Sequence, residues 1–500
     1  MERLSRLGRH VTAAADGAPT RMRRTTTTTA AENERPGSRD WQLTRVGCHQ
    51  PDSSAGGIRS TKVEGYCSAQ SVRPAQSIGV MVSADPAAPV LLEVFRMGFY
   101  QGRGARLVAT LGPFDAAPQP PPERGPRGIR ACQWPAWVSV SVGEDWISGV
   151  YIGRLSTRPG STSIASWQSY VIFVVTDDKP ADVLFQVSDN TWQAYNQWPE
   201  NDSLYRRHAN GTSLGDDFDV SFNRPYGKQA QYESVVTDPL SIGSGEFLSL
   251  EFPAVYWLEQ QGLSVRYVSN SDLTDPAVGA GCRAFLSLGV NRPTVCYESQ
   301  QHFLSCAAHF QHRLTANCGC FQHDEYWDLR QFESVCALRD GGMSLCFLSG
   351  NSVCWVSPLT DRGRTLARRG RYGDRAHVGA KDAIKQFGPF PIVDNPDEGL
   401  LMGSRNTLGV MGGGDWRCEM PEHWLFAETG MERGECVPGL VGWEFHADPP
   451  TTMEVPGLTV VGCGEAFLVG ETAQPYTATV YPVAAGANAG TVVLLHPPLS

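Results

Sequence analysis

Apolar and polar residues change their spacing along this chain, and each change marks a region. From about Lys62 to Asp178, short apolar runs (Ile78–Ser83, Val90–Met97, Trp137–Val142, Gly149–Ser156 and Gln168–Thr176) are separated by spacers rich in Pro and Gly, including Pro118 to Pro122. Alternation of this kind between turn-formers predicts short β-strands, so residues 61–178 are expected to form an Ig-like antiparallel β-sandwich. After Asp178 the period lengthens. Val183–Val187, Ser264–Val268, Arg283–Leu288 and Met343–Leu348 read as buried strands, and Glu246–Gln261 and Glu325–Arg339 carry apolar residues at helical spacing. Strands alternating with helices predict a mixed α/β domain over residues 179–481, with a mostly parallel sheet of the flavodoxin-like or glutamine-amidotransferase-like kind. Leu458–Val461, Ala466–Val469 and Thr477–Tyr481 are strand-like again, completing that sheet or adding a small β element.

The flanks lack such a period. Residues 1–60 hold six arginines in the first 24 positions, then Thr25 to Thr29, then Pro, Gly and Ser, and read as a disordered leader. Residues 482–500 read as an atypical tail ending near Pro497 and Pro498.

Composition narrows the function. With 42 basic against 52 acidic residues there is no cationic surplus to neutralise phosphates, so nucleic acid is not an expected partner. No stretch approaches eighteen uninterrupted apolar residues and no secretory leader is visible, so neither membrane nor export is expected. The compartment read from this is the cytoplasm, with the mitochondrion as the alternative because arginine and hydroxyl residues dominate the leader. The 37 arginines against five lysines leave many bidentate donors for an interface, whether with a small second subunit or with another copy of the chain.

In an open parallel sheet, ligands collect beyond the carboxyl ends of the strands. Each predicted strand here runs into a polar or aromatic loop: Ser188 to Asn196, Ser269 to Asp272, His323 to Trp327 and Ser349 to Ser352. His323 and Glu325 stand two positions apart, so an imidazole and a carboxylate can face one pocket as proton carrier and as metal ligand or acid/base. The same run also suits a plain helix start, with Asp324 as cap and Glu325 facing the dipole. Four of the fourteen cysteines (Cys296, Cys306, Cys318, Cys320) and three histidines (His302, His309, His312) crowd into residues 290–322, a segment of 33 residues. Their spacing fits no common zinc-finger pattern.

Several motifs resemble the N,N-dimethylformamidase large (beta) subunit family. They are Glu64-Gly65-Tyr66-Cys67-Ser68, Trp167-Gln168-Ser169-Tyr170, Ser188 to Asn196, Val220 to Tyr226, His323-Asp324-Glu325-Tyr326-Trp327, Gly412-Gly413-Gly414-Asp415-Trp416 and Gly442-Trp443-Glu444-Phe445. The resemblance runs from about Trp41 to Tyr481 and is nearest to the shorter microbial relatives. It implies a hydrolase of small N-substituted formamides that holds a single iron (Fe3+) through two tyrosines and a glutamate. Placed by motif, the glutamate is Glu325 and the first tyrosine Tyr195, with Tyr226 as the second and Tyr205 as its reserve. His323 and Glu444 take the acid/base roles. Phenolate and carboxylate are hard donors suited to a hard cation, and a site with open positions activates water and polarises an amide oxygen. The alternative is a catalytically inactive member acting as a binding or structural protein.

In that family the strand ending at Gly289 leads directly into the His-Asp-Glu-Tyr-Trp run, so residues 290–322 read as an insertion, such as an unspliced intron that keeps frame. If present in the protein, it enters where His323 and Glu325 are aimed and is expected to damage the enzyme. Sequencing the mature transcript across Gly289 and His323 is expected to find the segment missing; a message carrying all 33 codons would contradict this.

Overall fold

The structure, a computed structural model, describes residues 28–47, 59–157, 166–205, 218–227, 241–288, 292–293, 319–320, 324–373, 395–406, 412–427, 429–441, 445–468, 473–483 and 490–495. It is a mixed α/β chain with both parallel and antiparallel sheets.

A short helix, α1 (Thr28–Asn33), precedes strands β1 (Glu64–Cys67), β2 (Ser71–Val72), β3 (Ser77–Ser83), β4 (Ala88–Met97), β5 (Ala105–Ala116), β6 (Val138–Ser141), β7 (Gly149–Thr157) and β8 (Gln168–Val175). They form two sheets, of order β1-β3-β6 and β2-β8-β7-β4-β5. All pairings are antiparallel except β2 with β8. The sheets share one apolar core, to which Val80, Val82 and Val140 come from one side and Leu92, Val94, Leu155 and Phe173 from the other. This is a layered arrangement in which two sheets pack face to face, and β7 and β8 are buried on their other face as well.

The second region begins with β9 (Ala181–Gln186) and α2 (Asp189–Tyr195), then β10 (Asp219–Ser221), α3 (Phe252–Gln260), β11 (Val265–Val268) and β12 (Cys282–Leu288). It continues with β13 (Arg292–Pro293), β14 (Gly319–Cys320), β15 (Tyr326–Trp327), α4 (Leu329–Asp340), β16 (Ser344–Leu348), β17 (Trp355–Val356), β18 (Leu359–Thr360) and β19 (Thr365–Ala367). The last strands are β20 (Arg405–Asn406), β21 (Gly412–Arg417), β22 (Cys436–Val441), β23 (His446–Asp448), β24 (Thr459–Leu468), β25 (Ala473–Val483) and β26 (Gly490–Leu495). Nine of them build one sheet of order β11-β9-β12-β16-β26-β25-β24-β21-β22.

From β11 to β26 every pairing in this sheet is parallel, and from β26 to β22 every pairing is antiparallel. The expected mostly parallel sheet is therefore corrected: only half of it is parallel. Its two faces bury different residues, because successive side chains point oppositely. Phe185, Leu286, Val265 and Tyr267 pack under α3 and against Phe95, Ile152 and Tyr170 of the first region. Leu184, Phe285, Leu345 and Phe347 pack under Phe332 and Val335 of α4. Strand order reverses between β9 and β12, since the chain leaves β9 for β11 on one side and β12 on the other. Loops diverge at such a point and leave a crevice at the strands' carboxyl ends.

Three further expectations need correction. The leader is not unstructured over its described part: Trp41 and Leu43 join the core beneath α3, and buried Asn33 donates from Nδ2 to Glu259 at 2.8 Å. The tail is not peripheral, because β25 extends to Val483 and β26 lies between β16 and β25. The helix expected from Glu325 begins at Leu329, and its cap is Asp328, which accepts from the Arg330 backbone N–H at 2.9 Å. Residues 326–327 are instead drawn into parallel pairing with β17. Among the described residues no helix is long and apolar enough to cross a membrane.

Because Leu494 is fully buried beside Leu345 and Val492, Leu494→Ala is expected to cost about 2–5 kcal/mol in denaturant unfolding. Leu107→Ala, at a side chain 41% exposed on β5, should stay within about 0.5 kcal/mol.

Candidate active site

The polar loops expected at the strand ends meet beyond the carboxyl ends of β9 and β12. Asp324 lies at the floor of this junction, fully buried. Its Oδ2 accepts from Gln186 Nε2, from Ser287 Oγ at 2.9 Å and from Trp327 Nε1 at 2.8 Å, while Oδ1 accepts from Asn270 Nδ2 at 3.1 Å. Burial raises its pKa to about 6, opposed by those donors.

Helix α2 is tied to the same floor. Asn270 donates its backbone N–H to Asp189 at 2.8 Å and accepts from the Asn190 N–H at 2.9 Å, and Asn190 Nδ2 holds the Tyr326 carbonyl at 2.9 Å. Glu325 is thereby suspended by its backbone. Its N–H donates to Thr191 Oγ1 at 3.1 Å and its carbonyl accepts from the Trp355 N–H at 2.8 Å.

The Glu325 side chain meets a cluster of phenols. Tyr195, at the end of α2, donates to Glu325 Oε2 at 3.0 Å; Tyr205 donates to the Tyr195 oxygen at 2.6 Å and lies 3.3 Å from the same Oε2. The two rings stack at 4.2 Å. Tyr326 donates in turn to Tyr205 at 2.5 Å. On the other carboxylate oxygen, Asn351 Nδ2 reaches Oε1 at 3.3 Å from a backbone at φ 45°, and Val353 nearby has φ 55°. A β-branched residue with positive φ is strained, and such strain persists only where the surroundings over-determine it. Here the Val353 N–H is held by the Asp324 carbonyl at 2.9 Å.

Buried Arg368 places its guanidinium 4.8 Å from the Trp355 ring and 5.6 Å from the Tyr205 ring. Burial and then the Glu325 carboxylate hold the Tyr205 phenol well above its usual pKa, with Arg368 opposing. For Tyr326 the causes are burial, then Tyr205 and Glu325, again against Arg368. A cation entering this cluster would reverse that balance, since phenolate and carboxylate oxygens are hard donors. The oxygens of Tyr195, Tyr205 and Glu325, mutually 2.6–3.3 Å apart, fit an iron of the kind the sequence resemblance implies. Among the described residues no group of three or more His, Cys, Asp or Glu is placed to hold a metal.

The expected residues are thus only partly brought together. Tyr195 and Glu325 meet, and the reserve Tyr205 joins them. Tyr226 stands elsewhere: its ring meets Trp192 edge-on at 6.2 Å, packed against the core beneath α3. Burial, then Asp189, raises its phenol. His323 and Glu444 lie outside the described residues, as do Cys306, His309, His312 and Cys318. Tyr326 and Asn351 belong to polar runs singled out in the sequence without individual roles. Arg368 carried no such signal, being one of several arginines in Arg362 to Arg371.

At the start of α2, burial raises the pKa of Asp189 to about 8 from a usual 3.8, with the Asn270 N–H opposing. The folded protein therefore takes up a proton between those values and loses stability as pH rises through that window. Asp189→Asn removes the titration and keeps an acceptor for Asn270. It is expected to raise the melting temperature relative to the parent at pH 8 and to lose most of that advantage near pH 5, as thermal melts at the two pH values would show.

No match was found among curated proteins. The sequence does match the family described as "N,N-dimethylformamidase beta subunit-like, C-terminal" over residues 91–290 and 307–492, and the break in the match falls inside the 290–322 segment. The matched stretches hold β9, α2, β12 and β15 through β19, and so every described side chain of the phenol cluster. By that match the chain belongs to the N,N-dimethylformamidase beta subunit-like family.

Proposed function

We propose that this chain is a metal-dependent hydrolase that cleaves the C–N bond of a small linear amide, of the N-substituted formamide kind. The observation that carries the reading is the approach of the Tyr195 and Tyr205 hydroxyls to one buried oxygen, Glu325 Oε2. Tyr195, Tyr205 and Glu325 would hold the iron, Tyr205 taking the place first given to Tyr226. Bound there, such a cation polarises an amide oxygen and makes water nucleophilic near neutral pH.

The chain's own residues supply the rest. Asn351 fixes Glu325 Oε1, which leaves Oε2 to face the phenols. Arg368 keeps a positive charge beside Tyr205 in buried surroundings that strengthen it. His323, two positions before Glu325, is proposed to take a proton from water and pass it to the departing amine, with Glu444 sharing that work. The same reading takes the first region as Ig-like. It takes the parallel strands as flavodoxin-like or glutamine-amidotransferase-like, supported by their order, with the second strand in chain order at the edge beside the first.

A second reading, a catalytically silent binding protein, is favoured by the 290–322 segment, which enters just before His323. Iron analysis, absorption spectra and amine release from N-substituted formamides separate the two, made on protein with and without that segment. A phenolate-to-iron band with amine release supports the hydrolase, and a folded protein that takes up no metal supports the other. Glu325→Ala is expected to lose the metal while Glu422→Ala, at a surface side chain 61% exposed, keeps it. Equal metal content in the two variants would count against the site.

A further inference from the structure

The phenol cluster holds one more tyrosine than the proposed iron site uses. Tyr326 is fully buried, and its hydroxyl donates to the Tyr205 oxygen at 2.5 Å. Its ring stands edge-on to Tyr195 at 6.1 Å. The backbone beneath it cannot drift: Tyr326 pairs with Trp355 between β15 and β17, and its carbonyl accepts from Asn190 Nδ2 at 2.9 Å. Four oxygens therefore lie in sequence, Tyr326 to Tyr205 to Tyr195 to Glu325, each hydroxyl donating to the next oxygen. Tyr195 and Tyr205 both reach Glu325 Oε2, whereas the hydrogen bond from Tyr326 ends on Tyr205.

We infer that Tyr326 is a positioning residue, a phenol that lies outside the metal and donates a hydrogen bond to the Tyr205 oxygen. This rests on the metal-site reading above. Were Tyr205 to bind a cation as phenolate, its proton released to solvent, the hydrogen bond from Tyr326 would be charge-assisted and therefore stronger. It fixes the direction from which Tyr205 presents its oxygen and draws electron density from it. Partners that orient a ligand in this way commonly change metal affinity or activity by about 10–100-fold when removed.

Tyr326→Phe deletes one oxygen and keeps the ring that faces Tyr195, so it tests the hydrogen bond without opening a cavity. The full-length protein and its Tyr326→Phe and Tyr205→Phe variants would be titrated with iron and followed by absorption, metal content and thermal melting. The expected result is a Tyr326→Phe protein that melts close to the parent and still saturates with iron. Its phenolate-to-iron band should move to longer wavelength and its iron affinity fall about tenfold or more. Tyr205→Phe should lose the metal. A Tyr326→Phe protein that cannot be saturated would overturn the inference, because it would make Tyr326 a ligand. An unchanged band and affinity would also overturn it, because the hydrogen bond would then be absent once metal is bound. A parent protein with no such band removes the metal-site reading itself, a result distinct from either of these.

Discussion

The whole site depends on keeping the carboxylate of Asp324 in a place without water. An ionised carboxyl buried alone costs several kcal/mol or more, and among the described residues no basic side chain is a hydrogen-bond partner of Asp324. It is stabilised instead by four donors: two from the ends of β9 and β12, one from the loop after β11 and one from its own neighbour Trp327. Hydrogen bonds to a charged group contribute roughly 1.5–3 kcal/mol each, enough to offset burial in good part. The remaining upward pull on its pKa, to about 6, shows that they do not offset it completely. Because these donors come from separate strands, the carboxylate is satisfied only when the parallel sheet is assembled. Glu325, the next residue, inherits its position from that condition.

The first region takes part in the same assembly. Arg96 on β4 and Glu259 on α3 form a fully buried pair at 2.8 Å, joined by Tyr267 at 2.9 Å and by Asn33 of α1 at 2.8 Å. A buried pair of this kind is weak evidence for stability, but it is strict about register, since displacing either partner leaves an uncompensated charge. It seats the sandwich against the face of the parallel sheet, where Phe95, Ile152 and Tyr170 complete the core under α3.

Around Glu325 the chain departs from relaxed geometry. Asn351 and Val353 adopt positive φ beside Glu325 and Asp324, and three phenols share a few ångströms with a carboxylate, two of them with a pKa raised by burial first and by that carboxylate after it. Local propensity and charge balance both argue against such an arrangement. Conflicts of this kind cluster at functional sites in proteins generally.

Much of this was readable in the residues. Period and turn chemistry act over a few positions, so the strands Val183–Val187, Ser264–Val268, Arg283–Leu288 and Met343–Leu348, and the polar loops behind them, could be located from spacing. So could Tyr195 and Glu325, once their motifs were matched to a family. Strand order and register are set by distant contacts, and spacing says nothing about them. Gly490–Leu495 looked like a tail because six residues at the chain's end carry no turn signal that names their neighbours, yet the sheet places them between β16 and β25. Which further tyrosine meets Glu325 was hidden for the same reason. Tyr205 and Tyr226 lie on one connection between α2 and α3, but the first reaches Glu325 across 120 residues of chain and the second turns to Trp192. The sequence by itself determined which chemical groups are available and at which strand ends they stand. Which oxygens meet was decided only by tertiary packing, because a contact between distant residues is fixed by how sheets and helices close on one another.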